Sequence, residues 1–188
     1  MNNKFFTDYF KFMQSGMESV NYEDLIKTAE RIKTVSKAGN KLIIAGNGGS
    51  AAMASHVSVD FTKATGIRAI NFNEADLLTC FANDYGYEQV FEKAIEFYGD
   101  EGDLLILISS SGSSENVLNT ARRAKELNMG VITFSGFKSN NALRKLGDIS
   151  FWVDSTAYNI VEMVHQIWLL AVCDAVIGGQ CPRMVYRL

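Results

Sequence analysis

Short apolar runs that alternate with longer helical patterns are the feature that most constrains the fold of this chain. Four of the runs are rich in leucine, isoleucine, valine or phenylalanine, and a fifth, at residues 68–71, is weaker. The five runs occupy residues 41–45, 68–71, 103–108, 131–134 and 149–153. Helical patterns separate them, and a long one at about residues 159–177 follows the last. Alternation of this kind predicts an α/β fold in which a doubly wound parallel sheet lies between helices.

The residues before the first strand predict an N-terminal helical extension of two helices, at 4–20 and 22–37. Asn21 is the expected N-cap of the second helix, which Gly39 ends. With 188 residues, the chain is interpreted as a single domain over 1–188, and residues 1–38 pack on that domain or on a neighbouring subunit. The stripe of Phe6, Tyr9 and Phe10 is explained either by core packing or by a subunit interface, and both interpretations stay open at this point.

Composition excludes several classes of protein. Lysine and arginine total 18 against 21 acidic residues, so the net charge of −3 gives no basis for nucleic-acid binding. The N-terminus lacks the apolar core of a signal peptide, and the sequence predicts no membrane partner. The three cysteines, Cys80, Cys173 and Cys181, form no C-x-x-C pair. An odd, scattered set of cysteines indicates a reducing compartment, so we expect the protein in the cytoplasm.

The first strand runs into a glycine-rich turn, Gly46-Asn47-Gly48-Gly49-Ser50, which leads directly into a helix. In doubly wound sheets, ligands bind beyond the carboxyl ends of the strands. Glycines let a ligand approach the backbone, and the helix N-terminus offers free N–H groups to an anion. Taken alone the signal is weak, because strand-to-helix turns also use glycine for geometric reasons.

The strand at 103–108 ends in a second unusual loop, which reads SSSGSSEN over residues 109–116 and again opens a helix. Its five serines supply uncharged hydroxyl donors beside backbone N–H groups. We interpret this loop as a cradle for a phosphate group. The alternative, a flexible loop with Ser114 as N-cap, accounts for one or two of the serines and not for all five.

These two loops, together with His56 and with Asn83-Asp84 in the stretch FANDYGYEQVF, resemble the sugar isomerase (SIS) domain family. Within that family the chain is similar to the bacterial phosphoheptose isomerases, and the resemblance covers nearly the whole sequence. It implies a five-stranded parallel sheet, a homotetramer with active sites between subunits, and a small phosphorylated sugar as partner. The implied reaction converts sedoheptulose 7-phosphate to a heptose 7-phosphate, in heptose synthesis for lipopolysaccharide or capsule.

The resemblance also implies roles for individual residues of the two loops. Three groups of residues correspond to the substrate contacts of the family. Ser109, Ser110, Ser111 and Ser114 would hold the phosphate; Asn47, Gly48 and Ser50 would face the sugar; Asp84 would contact its hydroxyls.

Aldose–ketose isomerisation needs a base for a carbon-bound proton and a group that neutralises charge on the oxygens. His56 and Asp60 lie four apart on one predicted helix, and Glu162 and His165 lie three apart on another, so each pair shares a helix face. These are the two histidines of the chain. We predict Asp60 with either Glu162 or His165 as base and acid; the alternative is that both histidines are structural.

The chain departs from the family pattern at the catalytic positions. The family usually has glutamate, assigned as the base, where Asp60 stands. It also shows a Gln-Glu pair followed two turns later by a histidine, where this chain has Val161-Glu162 and then Leu169 or Leu170. That histidine acts as the acid in the family and is a candidate zinc ligand.

Zinc is a possible cofactor of this site. His56, Asp60, Glu162 and His165 would offer it two nitrogen and two oxygen ligands if the two helices meet. The alternative is two helix-surface ion pairs without a metal.

Two other functions compete with the isomerase. A non-catalytic SIS module that binds a sugar phosphate and regulates a partner is supported by the missing histidine. Dinucleotide binding is suggested by Gly46-x-Gly48-x-x-Ala51, which matches the loose G-x-G-x-x-G/A pattern. Against it, the second strand ends in Asn71 instead of an acidic ribose ligand, although Glu74 is near.

Overall fold

A computed structural model describes residues 3–178 of the chain. Five strands and seven α-helices follow one another in the predicted alternation. The strands are β1 (Leu42–Gly46), β2 (Ala69–Asn71), β3 (Leu104–Ser109), β4 (Gly130–Ser135) and β5 (Ile149–Trp152). The helices are α1 (Asn3–Glu18), α2 (Tyr22–Lys37), α3 (Gly49–Asp60), α4 (Ala75–Tyr85), α5 (Val90–Tyr98), α6 (Glu115–Glu126) and α7 (Tyr158–Ile177).

The five strands form one parallel sheet in the order β2-β1-β3-β4-β5. The predicted fold, a doubly wound five-stranded α/β sheet with an N-terminal helical extension, is confirmed. From β1 the chain crosses first to β2 on one side and then to β3 on the other. The connections after β1 and β3 therefore leave in opposite directions and open a crevice between their carboxyl ends.

Both faces of the sheet are covered because alternate residues of each strand point to opposite sides. In β1, Leu42 and Ile44 belong to the core under α2, α3 and α7, whereas Ile43 and Ala45 belong to the core under α5 and α6. All five residues of β1 are buried. A strand buried on both faces reads as a continuous apolar run, which is why the sequence located it.

The N-terminal end of the sheet is fixed by a buried ion pair between β1 and β3. Asp103 is fully buried and accepts hydrogen bonds from the Lys41 Nζ at 2.5 Å and the Lys41 backbone N–H at 2.9 Å. Burial alone would raise the pKa of Asp103, but these bonds, with others from Asp100 N–H and Asn40, outweigh it and lower the pKa below its ordinary value.

Helix α1 has no buried residue, although it carries four phenylalanines. Tyr9 is half-buried and packs against the core, but Phe6 and Phe10 remain 50% and 64% exposed. The interpretation of Phe6 and Phe10 as core is therefore wrong for the single chain. Contact with a neighbouring subunit stays a prediction.

Local details agree with the sequence in most places. Asn21 caps α2 as predicted, because its Oδ1 accepts a hydrogen bond of 3.0 Å from the Glu23 N–H. A 3₁₀ turn, Tyr87–Gln89, directly precedes α5. Helix α7 is long and apolar enough to cross a membrane by length and composition alone, a test that core helices of soluble proteins also pass. In this fold it is a core helix with eight buried residues.

Candidate functional site

A pocket of about 260 Å³ lies at the crevice between the carboxyl ends of β1 and β3. Loops from both strands form two of its walls, and the first turns of α7 form the third. It is lined by Asn47, Gly48, Gly49, Ser50, Ile108, Ser109, Ser110, Ser111, Ser114, Tyr158 and Glu162. Seven of the eight residues predicted to bind substrate or phosphate are thus brought together at one place.

The serine hydroxyls of the second loop contact one another, except that of Ser110. Ser114 occupies the N-cap position of α6, but its side chain makes no capping hydrogen bond and lies 3.2 Å from the Ser109 Oγ. Ser110 is 5% exposed, lines the pocket and has an Oγ with no hydrogen-bond partner among the described residues. A buried hydroxyl without a partner costs free energy unless a ligand or water satisfies it. The loop is therefore suited to an oxygen-rich ligand.

Asn141, which is 6% exposed, packs closely against Gly112 of the serine loop. The Asn141 Nδ2 donates to the Lys138 carbonyl at 2.9 Å, and its Oδ1 accepts from the Arg144 N–H at 2.9 Å. Gly112, in the loop, has a φ of +62°, and a Cβ there would lie 2.1 Å from the Asn141 Oδ1. Only glycine fits both the left-handed backbone and this close approach.

Two helices begin at the pocket, α3 at Gly49 and α6 at Glu115. Their N-terminal N–H groups carry partial positive charge and suit an anion. No lysine or arginine is among the lining residues. Within the described chain, an anion in this pocket would be held by neutral donors and helix termini.

Glu162 brings the one carboxyl group that lines the pocket. It lies against the start of α3, where a Cβ on Gly49 would be 2.3 Å from the Glu162 Oε2. Burial raises the pKa of Glu162 above its ordinary value. A carboxyl group that changes protonation more easily near neutral pH is suited to proton transfer.

Sequence reasoning missed Gly49, Ile108 and Tyr158 as lining residues. One signal was present for Tyr158, because it precedes Glu162 by four residues and therefore shares its helix face. Gly49 belongs to the predicted glycine-rich turn but was not named as a substrate contact, and Ile108 carries no side-chain chemistry by which the sequence marked it.

His165 does not line this pocket, although the prediction of a catalyst or metal ligand required it there. Its side chain is fully buried between Phe134 and Trp168, and its Nε2 lies 3.0 Å from the Ser135 carbonyl oxygen. Burial lowers the pKa of His165 to about 4, although the hydrogen bond to Ser135 opposes the shift. Facing the sheet from α7, it is a neutral core residue, as the structural alternative proposed.

His56 and Asp60 lie toward the other end of α3 and do not line the pocket. The His56 Nε2 is 3.3 Å from the Asp60 Oδ2, and the Gln166 Nε2 donates to the His56 Nδ1 at 3.1 Å. Because a helix rises about 1.5 Å per residue, Asp60 lies roughly 16 Å along α3 from the pocket end. The chain by itself therefore does not bring Asp60 and Glu162 together.

The predicted zinc set is not assembled. Over residues 3–178 there is no group of three histidine, cysteine, aspartate or glutamate side chains placed to hold a metal ion. His165 is buried, and Glu162 lies at the pocket, apart from the His56–Asp60 pair. The residues present in the single chain do not fit a zinc ion.

Three further positions bear on the sequence predictions. Asp84 is exposed near the end of α4, where it accepts a hydrogen bond of 2.8 Å from Asn83, and it does not line the pocket. Leu169 is fully buried in the core. Asn71, at the end of β2, donates to Ser58 at 2.9 Å and accepts from the Asn73 N–H. Dinucleotide binding would need an acidic ribose ligand at this position, and the Asn71 side chain already makes hydrogen bonds within the protein.

Comparison with known proteins identifies the family of this chain. The family model for the SIS domain matches residues 6–136. The chain belongs to the SIS domain family. It is 33% identical to the phosphoheptose isomerase of Helicobacter pylori (strain HPAG1) over 179 residues, which cover 92% of each chain.

Solved structures of other proteins share this fold. The phosphoheptose isomerase from Neisseria gonorrhoeae has a TM-score of 0.84 and 28% identity, covering 92% of this chain and 96% of that one. The NanR protein of Vibrio vulnificus, solved in complex with ManNAc-6P, shares the fold at a TM-score of 0.67 and 16% identity. The match to NanR covers 90% of this chain and 59% of that one.

Proposed function

We propose that this SIS domain protein is a phosphosugar isomerase that interconverts sedoheptulose 7-phosphate and a heptose 7-phosphate through an enediol. The observation that carries the proposal is the pairing, in one pocket, of a serine loop whose buried Ser110 hydroxyl has no partner among the described residues and a carboxyl group of raised pKa. The first suits a phosphate, and the second suits a proton transfer. The relatives named phosphoheptose isomerases, one of them 33% identical over 92% of the chain, support the substrate.

Ser109, Ser110, Ser111 and Ser114 hold the phosphate of the substrate, and Asn47, Gly48 and Ser50 face its sugar. The first turns of α3 and α6 add backbone N–H donors. Asp84 does not reach this pocket within one chain, so a contact of Asp84 with sugar hydroxyls requires a second copy.

Glu162 carries the proton in the reaction that we propose. Its carboxylate removes a proton from C1 of the ketose while the C2 carbonyl oxygen gains one, which gives the cis-enediol. The C1 hydroxyl then loses its proton and Glu162 returns a proton to C2, which leaves an aldehyde at C1 and a hydroxyl at C2. The neutral donors around the pocket stabilise charge on the two oxygens during both steps.

Asp60 acts as a second acid or base if the C-terminal part of α3 from another subunit reaches this pocket. The exposed side chains of Val59 (58%), Met163 (44%) and Ile167 (40%) on α3 and α7 favour burial of this surface by another chain. The exposed phenylalanines of α1 favour the same conclusion. We therefore include a homotetramer with shared sites in the proposal.

The setting that we propose is the bacterial cytoplasm, in heptose synthesis for lipopolysaccharide or capsule. Cys80 and Cys173 are free thiols, which fits a reducing compartment; Cys181 lies outside the described residues.

The direct test is turnover of sedoheptulose 7-phosphate by the purified protein, followed by aldose formation. The triple variant Ser109→Ala, Ser110→Ala, Ser111→Ala should lose affinity for the sugar phosphate, and Glu162→Gln should lose turnover while it keeps binding. Binding of the ketose without any turnover by the wild type would favour the regulatory module. Wild-type affinity in the serine variant would refute the phosphate site.

A further inference from the structure

The two loops of the pocket are joined by a reciprocal pair of carboxamides. The Asn47 Nδ2 donates to the Asn116 Oδ1 at 2.9 Å, and the Asn116 Nδ2 donates to the Asn47 Oδ1 at 2.9 Å. Asn47 belongs to the loop after β1 and lines the pocket, whereas Asn116 lies in the first turn of α6 and is 3% exposed. Two amides paired in this way must keep or reverse their orientations together.

The orientation of the pair is fixed by the backbone. The Val117 N–H donates to the Asn116 Oδ1 at 3.0 Å, and a backbone N–H cannot accept. The Asn116 oxygen is therefore assigned without ambiguity, and its Nδ2 must face the Asn47 oxygen. The hydroxyl of Tyr87, 2.9 Å from the Asn47 Oδ1, is then the donor of that contact.

This network determines what Asn47 can offer to a substrate. Its oxygen already accepts two hydrogen bonds, from Asn116 and from Tyr87. Its nitrogen uses one hydrogen on Asn116, and the second hydrogen has no protein partner among the described residues. Asn47 therefore presents a single N–H donor and no acceptor, which suits an oxygen atom of the sugar.

Tyr87 is itself held near Asn47 by the fold. It begins the 3₁₀ turn Tyr87–Gln89, and the Asn119 Nδ2 of α6 donates to the Glu88 carbonyl at 3.1 Å. The turn is thus tied to the same helix that carries Asn116. Because Tyr87 is 58% exposed and absent from the lining of the pocket, its contribution to the site passes through Asn47.

We propose that Tyr87 and Asn116 are positioning residues that lock the Asn47 carboxamide with its free N–H toward a sugar oxygen. This inference rests on the proposed function, in which Asn47 faces the sugar. Loss of the Asn116 side chain frees the carboxamide to rotate, and a rotated carboxamide turns its acceptor oxygen toward the substrate instead of its donor. Loss of the Tyr87 hydroxyl removes one of the two hydrogen bonds that hold the Asn47 oxygen and so loosens the same orientation.

The test is a double-mutant cycle on isomerase turnover with Asn47→Ala, Tyr87→Phe and the double variant. Tyr87→Phe should lower kcat/KM about 3- to 10-fold, the range expected for one neutral hydrogen bond. In the Asn47→Ala background the same change should have almost no effect, because Tyr87 then has nothing to orient. An equal loss in both backgrounds would overturn the proposal.

Two further measurements separate positioning from a general structural role. Tyr85→Phe is the matched control: it removes a phenol hydroxyl two residues away, for which no hydrogen bond is seen, and should leave kcat/KM and Tm at wild-type values. Tyr87→Phe should keep the wild-type Tm and the wild-type affinity for inorganic phosphate, with its loss confined to turnover of the sugar. A parallel loss of phosphate affinity would show distortion of the serine loop and refute the assignment.

Asn116→Leu extends the test to the buried partner and should behave as Tyr87→Phe does in the cycle, with a larger loss. If it fails to fold, the tyrosine cycle still decides the question. Failure of the proposed function is distinguishable, because then the wild type would not turn over the ketose or Asn47→Ala would leave kcat/KM unchanged. Failure of the positioning proposal alone would leave both of those results intact.

Discussion

Gly49→Ala should separate activity from stability in this protein. Gly49 is the first residue of α3, and an added Cβ would lie 2.3 Å from the Glu162 Oε2 and 2.7 Å from its Oε1. Normal contacts begin near 3.4 Å, so the carboxyl group must move by about 1 Å. Only the end of a flexible side chain has to move, and the fold should therefore persist.

Gly49→Ala should have opposite effects on stability and on turnover. A helix prefers alanine to glycine by up to about 1 kcal/mol, which raises Tm by up to about 3 °C in a protein of this size. Displacement of a reacting group by about 1 Å lowers the rate by roughly 100-fold. The variant should therefore be at least as stable as the wild type and nearly inactive, with phosphate affinity retained because the serine loop is unchanged.

The assay measures kcat for sedoheptulose 7-phosphate, Tm and inorganic-phosphate affinity in Gly49→Ala, Glu162→Ala and the double variant. If the alanine acts by displacing Glu162, it should cause no further loss of turnover once that side chain is removed. Wild-type kcat in Gly49→Ala, or independent losses that multiply in the double variant, would refute this account. Ala52→Gly, at an exposed position of the same helix, reports the effect of helix propensity alone.

Three more predictions concern charge and backbone geometry. Asp103→Asn should lower the free energy of unfolding by about 1–3 kcal/mol in denaturant titrations, since it breaks a buried ion pair but leaves Lys41 paired with Asp100. Because folding lowers the pKa of Asp103, the stability that this carboxylate contributes is present above its unfolded pKa and is lost as the pH falls. The free energy of unfolding of Asp103→Asn should therefore depend less on pH than that of the wild type in this acid range. An unchanged pH dependence would contradict the assignment. Gly112→Ala should lower the free energy of unfolding by about 1–3 kcal/mol, because Gly112 has a left-handed backbone, and should also weaken phosphate binding through the clash with Asn141. The control is Gly102→Ala, at the opposite edge of the sheet, where φ is +86°; this variant should lose stability and keep phosphate binding. If Glu162 is the base, the acidic limb of the pH profile of kcat/KM should lie above the ordinary glutamate pKa of 4.5, because burial raises the pKa of Glu162. A limb at or below 4.5 would exclude Glu162 as the base. Glu162→Gln should lower kcat by about 10²- to 10⁴-fold.

The site was predictable from sequence where chemistry and position coincide. The serine loop and the glycine-rich turn each follow a strand that reads as a continuous apolar run, and parallel strands bring their carboxyl ends to the same edge. Asn47 and the four serines therefore reached the pocket as predicted. Asp84 did not, because its expected role came from resemblance and no strand end placed it there.

Glu162 and His165 on α7 show what residue spacing along a helix leaves undetermined. Glu162 and His165 lie three apart, and that spacing allows a shared face but does not fix which direction the face points. In the structure Glu162 lies at the pocket, whereas His165 is directed at the sheet and is fully buried. The packing of α7 on β4 made this choice, and it depends on contacts with residues more than 20 positions away in the chain.

The sequence by itself determined the layered α/β architecture and the place of the serine loop after a strand, because both follow from short-range patterns: apolar runs of strand length, and polar residues directly after them. The tertiary structure alone decided that Glu162 and not His165 lies at the pocket, and which side chains contact Asn47. Those depend on which side chains meet across separate elements, as Asn116 and Tyr87 do at Asn47, and on how deeply each is buried, since burial sets the pKa of Glu162. Meetings between distant residues and their desolvation arise only when the chain packs.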